Sequence, residues 1–223
     1  RSFRVEVLNC MPGAQATMAD EVIEADERPR PTHCIFDLAL PAGTHELVIA
    51  PPDWQEEVTY RFADMGDIQT AMDSVHEVFA AISAAPDLRF VMSTGDVVEK
   101  GAPEEYELFQ EQIKSLNIPF FSTVGNHELT EDILTWHRLF GRYSVHFRFK
   151  GVDFSYVDSG NASLDPKLYE RLGDWLDEGS DRIHIFGTHY PPLDPVGVRH
   201  AGFRSRNEAN KLLVELFEGN VDI

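Results

Sequence analysis

Residues 118–128 read IPFFSTVGNHE, and a change of character inside this stretch sets the reading of everything around it. A short apolar run with β-branched and aromatic residues, the composition of a buried strand, turns polar where a strand should meet its loop. Gly125, Asn126, His127 and Glu128 then deliver an amide, an imidazole and a carboxylate side by side. In an open α/β sheet the carboxyl ends of the strands are where ligands bind, because loops converge there while the strands hold them rigid. Three other stretches share this construction. YRFADMGDIQ (60–69) ends in Gly66 and Asp67, LRFVMSTGDVVEKG (88–101) passes through Gly95 and Asp96, and RIHIFGTHYPP (182–192) leads into His189. Four strand ends thus carry oxygen and nitrogen groups of the kind that hard and borderline divalent cations prefer.

Between these strand ends the periodicity is helical. Ala71, Met72, Val75, Val78, Phe79 and Ile82 predict an amphipathic helix over 70–84, ended by Pro86. Pro103, Glu104 and Glu105 open a second helix, since proline presets the first turn and carboxylates favour the positive end of the dipole; Tyr106, Phe109, Ile113 and Leu116 form its stripe. Strands alternating with helices of this length imply βαβ units and a largely parallel sheet. After a short helical segment, EDILTWHRLF (131–140), the pattern changes. YSVHFRFKGVDFSYVDS (143–159) reads as two strands about a Lys150-Gly151 turn, so a second sheet packed on the first is expected. Asp165 and Pro166 open a helix with Leu168, Leu172, Trp175 and Leu176 facing inward, RIHIF follows as a strand, and a proline-rich loop leads to a last helix over 207–217.

Residues 1–58 differ. RSFRVEVLN alternates like a strand, THCIFDLAL and THELVIA give two more with PAG between them, and the middle is rich in Pro, Ala and acid. This is expected to be part of a small antiparallel β module, with a second domain over 59–223. Cys10 and Cys34 both lie in it: either they form a disulfide pinning that module in an oxidising compartment, or they are two unrelated buried thiols. On that ground a periplasmic or secreted location is preferred to a cytoplasmic one.

The formal net charge is -19, from 38 acidic and 19 basic side chains. Such a surface repels long polyanions and lacks the basic footprint of a nucleic-acid binder. A small anionic substrate is still accommodated if bound cations reverse the field locally. No apolar run approaches the roughly 20 residues that a membrane-spanning helix needs. Oligomeric state has no signal in the sequence.

Asp67, Asp96, Asn126 and His189 stand at strand ends separated by one crossover or more. Carboxylate, carboxylate, amide and imidazole suit a two-metal site with one shared carboxylate, and Asp96, in the middle, is the natural bridge. Taken singly, each residue is better explained as the cap of a turn or helix; taken in order with their glycines, coincidence is a poor account. GDIQ, GDVVEKG, GNHE and GTHYPP together resemble the calcineurin-like metallophosphoesterase superfamily over roughly residues 60–223. The resemblance implies a two-sheet αββα sandwich and two divalent ions (Mn, Fe, Zn or Mg). It further implies that Asp67 binds one ion, Asp96 bridges both, and Asn126 and His189 bind the other. His127 becomes the donor that contacts the phosphate and assists the leaving oxygen. Gln69 and Glu99 are weaker ligands or supports of ligands.

Two departures accompany the resemblance. Gln69 stands where the family usually has a metal-binding His, which implies a looser first metal or a harder one such as manganese or magnesium. The family's Gly-His-x-His does not occur before Ile223; NVDI reads as the strand preceding it, so the domain is expected to be truncated at its C-terminal end, and His200, in a loop, is a poor substitute. Glu99 also stands where purple acid phosphatases carry a metal-binding Tyr, which sets the chain apart from them. The expected function is hydrolysis of a phosphomonoester or phosphodiester of a small phosphorylated substrate, by a hydroxide activated between two metals. The alternative is a non-catalytic scaffold of the same fold that binds a partner or ligand. Trp136, His137, Tyr190, His200 and Arg204 lie in segments near the expected mouth, and Lys100 follows the second motif. His33, His45, His76, His146 and His184 are read as surface or satisfied core histidines.

Overall fold

The computed structural model describes residues 2–19, 21–197 and 201–221. Their fold is mixed α/β, with four three-stranded sheets and five α-helices among them. Within the first fifty residues lie β1 (Ser2–Val7), β2 (Gln15–Met18), β3 (Glu21–Ile23), β4 (Glu27–Arg30), β5 (His33–Ala39) and β6 (Val48–Ala50). They form two antiparallel sheets, β1-β5-β4 and β3-β2-β6. The segment rich in Pro, Ala and acid is therefore three short strands rather than a long connection. Phe36, Leu38, Ala14 and Ala16 are buried around the Cys10–Cys34 disulfide, which is formed. Asn9 fastens this region to the rest. Its amide donates to the Phe120 carbonyl (2.8 Å) and accepts from the Phe120 N–H (3.0 Å), supplying hydrogen bonds to an edge strand that would otherwise be open.

β7 (Arg61–Met65), β8 (Leu88–Ser93) and β9 (Phe120–Ser122) form the expected parallel sheet. The crossovers contain α1 (Val75–Ala84) and α2 (Pro103–Gln112). Successive side chains in a strand point to opposite faces, and β8 and β9 use both. Val91 and Phe120 pack with Phe79 and Phe109 of the helices, whereas Phe90, Met92 and Phe121 face the other way. There they meet the second sheet, β10 (Val145–Phe149), β11 (Val152–Val157) and β12 (His184–Thr188), whose first two strands are a hairpin through Lys150 and Gly151. Phe90 lies edge-on to Phe154 (5.2 Å) and Phe147 (5.4 Å), and Phe121 contacts Phe147 (4.9 Å). The outer side of this sheet is covered by α4 (Pro166–Gly179) and α5 (Arg206–Glu218), with Leu172, Leu176 and Leu212 packed together with Val157. Between β9 and β10 runs α3 (Ile133–Phe140), capped by the Asp132 carboxylate on the Leu134 N–H.

The helix expected over 70–84 begins late. Residues 69–74 are a 3-10 turn and the α-helix starts at Val75. Gln69 has φ of +41° and its N–H is bonded to the Asp96 carbonyl, so the chain cannot wind regularly until it has left that loop. Met72, Val75 and Phe79 are buried as expected, but Ala71 and Val78 face outward. The strand expected at NVDI falls partly on residues 222 and 223, which lie outside the described residues, as does His200.

Candidate metal centre

The loops after β8 and β9 meet because two glycines let their backbones touch, and the loops after β7 and β12 are hydrogen-bonded to the loop after β8. A Cβ on Gly95 would lie 2.2 Å from the Gly125 nitrogen, and one on Gly125 would lie 2.0 Å from Asp96 Oδ1. Only a hydrogen fits at either position. The loops are then stitched by Glu128, which is wholly buried. Its Oε2 accepts the N–H groups of Gly125 (2.6 Å) and Asp96 (2.9 Å), and its Oε1 those of Val97 (2.7 Å) and Val98 (3.2 Å). Burial pushes its carboxyl above the ordinary range, against the pull of these donors. Glu128 thus acts as a brace, holding the Gly-Asp loop against the Gly-Asn-His loop.

Asp96, 2% exposed and at φ of +54°, is the hub. Its Oδ1 accepts the His127 N–H (3.0 Å). Its Oδ2 lies 2.8 Å from Gln69 Nε2, 3.5 Å from His189 Nε2 and 3.7 Å from His127 Nε2. His189 Nε2 is in turn 3.0 Å from Asn126 Oδ1, while its Nδ1 faces the Thr94 carbonyl at 3.2 Å. Both ring nitrogens of His189 thus face oxygen, and a cation bound at Nε2 would stand in place of a hydrogen there while Nδ1 donates to the Thr94 carbonyl. Asp96 Oδ2 and Asn126 Oδ1 thus both lie near His189 Nε2, three atoms of types that ligate cations. Around a cation bonded at about 2.1 Å, neighbouring ligand atoms stand about 3.0–3.4 Å apart; His189 Nε2 lies 3.0 Å from Asn126 Oδ1 and, slightly beyond that range, 3.5 Å from Asp96 Oδ2. The donor set fits a divalent ion.

Among the described residues no three His, Cys, Asp or Glu side chains gather into a metal cage by themselves. The trio here includes an amide in place of a third such residue. Asp67, exposed and at φ of +53°, joins the group through Gln69, whose Nε2 is 3.4 Å from Asp67 Oδ1. His127 is oriented by the Glu99 carbonyl, to which its Nδ1 donates, leaving Nε2 directed toward the Asp96 side. Burial alone would lower the pKa of this imidazole, but the Glu99 carbonyl and the negative charges of Asp96, Glu99 and Glu128 outweigh it and raise the value. Glu99 contributes this carbonyl to the centre; its Oε2 is buried with no hydrogen-bond partner.

Next to the centre is a cleft of about 760 Å³, lined by Asn126, Thr130, Asn161, Tyr190, Phe203 and Arg204 among others. Two of the segments expected near the mouth, those of Tyr190 and Arg204, do line it. Trp136 does not; it is buried against Phe140 in the core. His137 is on the surface beside Tyr143, and Lys100 is exposed. The remaining histidines have structural partners: His33 pairs with Glu6, His45 meets the Pro41 carbonyl, and His146 and His184 share the Ser155 hydroxyl, while His76 is exposed. Sequence reading placed Glu128 in the GNHE motif but missed its bracing role, which depends on backbone N–H groups of another loop, and missed Asn161 in the cleft lining, which no motif marks.

Comparison with known proteins agrees with this geometry. The family model described as calcineurin-like phosphoesterase matches residues 60–223. A probable glycerophosphodiester phosphodiesterase of Arcobacter nitrofigilis is 28% identical over 142 residues, covering 59% of this chain and 51% of that protein. A 3',5'-cyclic-nucleotide phosphodiesterase of a Nostoc species is 29% identical over 119 residues, covering 48% of this chain and 43% of that protein. The chain spans about half the length of these curated relatives. Every strand end that contributes to the centre falls inside the matched span, and the chain belongs to the calcineurin-like phosphoesterase family.

Proposed function

We propose that the chain hydrolyses a small phosphoester with the help of divalent cations held at Asp67, Asp96, Asn126 and His189. The observation that carries this reading is the approach of Asp96 Oδ2 and Asn126 Oδ1 to His189 Nε2 at close to ligand spacing. Two ions held there would share Asp96, with Asn126 and His189 as ligands of one and Asp67 as ligand of the other. Bound cations supply two things: a water of lowered pKa and positive charge against the phosphoryl oxygens. The chain does the rest. In the step itself, water oxygen forms the new bond to phosphorus in line with the leaving oxygen, the ester P–O bond breaks, and its electron pair stays on the leaving oxygen. His127, whose Nδ1 is committed to Glu99, offers Nε2 to contact the phosphate and to hand a proton to that oxygen. The cleft beside Asn126 is where the rest of the substrate would lie.

Both relatives bear names of phosphodiesterases, which favours a phosphodiester over a monoester. The two aromatic-lined sheets with helices outside them support the αββα sandwich, and the antiparallel sheets of residues 2–50 support a separate N-terminal module. The Cys10–Cys34 bond supports an oxidising compartment, periplasmic or secreted. One observation favours the non-catalytic alternative: Gln69 presents an amide donor where a ligand is needed.

Assay of bis(p-nitrophenyl) phosphate with defined metals separates the two readings. Manganese-dependent turnover that chelation removes and Asp96→Ala abolishes is expected. Full activity in Asp96→Ala, or metal-loaded protein that turns over no phosphoester in a broad panel, overturns the enzymatic reading.

A further inference from the structure

Resting on the metal-centre reading above, we propose that the Gln69 amide is an internal competitor for the first cation position, so that the two positions of the centre differ in affinity by the chain's own design.

The argument starts from the backbone. Gln69 N–H donates to the Asp96 carbonyl (3.2 Å) and Asp67 N–H to the Gly95 carbonyl (3.1 Å), so the two loops lie together and the Gln69 side chain is held between two carboxylates. Its Nε2 is 2.8 Å from Asp96 Oδ2 and 3.4 Å from Asp67 Oδ1. The opposite amide orientation would set Oε1 against two carboxylate oxygens, which is repulsive, whereas the NH2 group offers one hydrogen to each. A positive pole thus stands where a cation shared by Asp67 and Asp96 would stand.

The other half of the centre has no such donor. There the His189 ring faces the Thr94 carbonyl through Nδ1 and Asn126 Oδ1 through Nε2, and no side-chain amide stands between two carboxylates. On the Asn126 side a cation meets an imidazole and an amide oxygen; on the Asp67 side it must first displace an amide bonded to both carboxylates. Giving up the 2.8 Å hydrogen bond to the Asp96 carboxylate, the longer one to Asp67 adding little, predicts a first position about ten- to a hundredfold weaker than the second.

Replacing Gln69 distinguishes competitor from ligand, because the two roles move binding in opposite directions. Equilibrium dialysis of the full chain against manganese, with metal analysis and the EPR spectrum of the bound ions, reads stoichiometry without reference to turnover. Wild-type protein is expected to hold one ion tightly, with a mononuclear six-line spectrum, and a second only at higher free manganese. Gln69→Ala removes the competitor and is expected to take up the second ion more tightly, with a spin-coupled spectrum appearing at lower manganese; Gln69→His, which adds a ligand as well, is expected to do so further. Weaker second-ion binding in Gln69→Ala shows the amide to be a ligand and overturns the proposal, as do two ions of equal affinity in the wild type. If neither wild type nor variants bind any manganese, zinc or iron, the metal-centre reading itself fails, which is a different result.

Discussion

Glu128 shows how much of the candidate centre is held by a residue that is not among its ligand groups. Four backbone N–H groups from two loops end on its carboxylate, and among them are those of Asp96 and Gly125, the positions where the loops press together. An isosteric amide cannot replace it. Gln would turn an NH2 donor against backbone donors and leave buried N–H groups without acceptors, at a cost of about 1–3 kcal/mol for each group stranded. Glu128→Gln is therefore expected to lower stability by about 2–4 kcal/mol, partly offset by the charge no longer being buried. The measurement is urea unfolding followed by tryptophan fluorescence, run beside manganese retention. Loss of stability with metal retention intact would show that the brace serves the fold but not the centre; an unchanged midpoint would deny it any bracing role.

The elements around the centre are fixed at longer range by a clamp in the connection between β6 and β7. Asp53 receives both guanidinium nitrogens of Arg89 at the start of β8 (2.6 and 2.9 Å). It also receives Lys150 Nζ from the β10–β11 turn at 2.8 Å. The Lys150 side chain is 1% exposed, so removing the carboxylate leaves a buried ammonium without its counter-charge, hydrogen-bonded to the Asp53 backbone carbonyl (2.9 Å). Asp53→Ala is expected to cost about 3–5 kcal/mol, and Lys150→Met in the same chain to recover much of it, because replacing a buried pair is far cheaper than breaking one; a double-mutant cycle by chemical unfolding reads both. The hydrogen bond from Arg89, more than the one from Lys150, holds the Asp53 carboxyl well below the usual carboxylate range. A depressed folded-state pKa contributes stability that is complete above the unfolded value of about 4 and is lost only as pH falls through the folded one, so the deficit of Asp53→Ala is expected to be constant above that pH. This clamp was invisible in the sequence, where Lys150 is legible only as half of a turn and Asp53 as one acid among many. The same contrast runs through the molecule. The strands of both central sheets and the four site-bearing strand ends were legible because a buried strand meeting a polar loop leaves a mark in a single stretch of residues. The strands β2, β3 and β4 were not, since three or four residues paired across a sheet carry too little pattern, and neither was the Cys10–Cys34 bond, which depends on Cys34 in β5 lying beside the turn that follows β1. Asp96, Asn126 and His189 could be assembled from residue type and order. The donor that Gln69 places between two carboxylates depends on left-handed backbone at Asp67, Gln69 and Asp96, which no spacing reveals.

At the scale of the whole molecule the dominant fact is charge. The chain carries -19, and many of its cations are already paired: Arg4 with Glu27, Arg89 and Lys150 with Asp53, Arg138 with Asp132, Arg148 and Arg182 with Asp153. An anionic phosphoester approaching such a surface is repelled over a Debye length, which is about 30 Å in 10 mM salt and shrinks below 10 Å above 0.1 M. Most charged enzymes that steer their substrates slow down as salt rises; here the sign is reversed, because the long-range field opposes encounter and attraction is confined to the centre and to Arg204 in the cleft. We therefore expect kcat/KM for bis(p-nitrophenyl) phosphate, a monoanion, to increase about two- to tenfold between 10 and 300 mM sodium chloride with kcat nearly constant. A neutral phosphotriester, if turned over, should show no such rise. Arg204→Ala should raise KM while keeping the upward slope, since removing one cation deepens the same repulsion. A falling slope in the wild type would mean that the field at the mouth is already positive before the substrate arrives, placing the electrostatics of encounter in the bound cations and Arg204 rather than in the acidic surface.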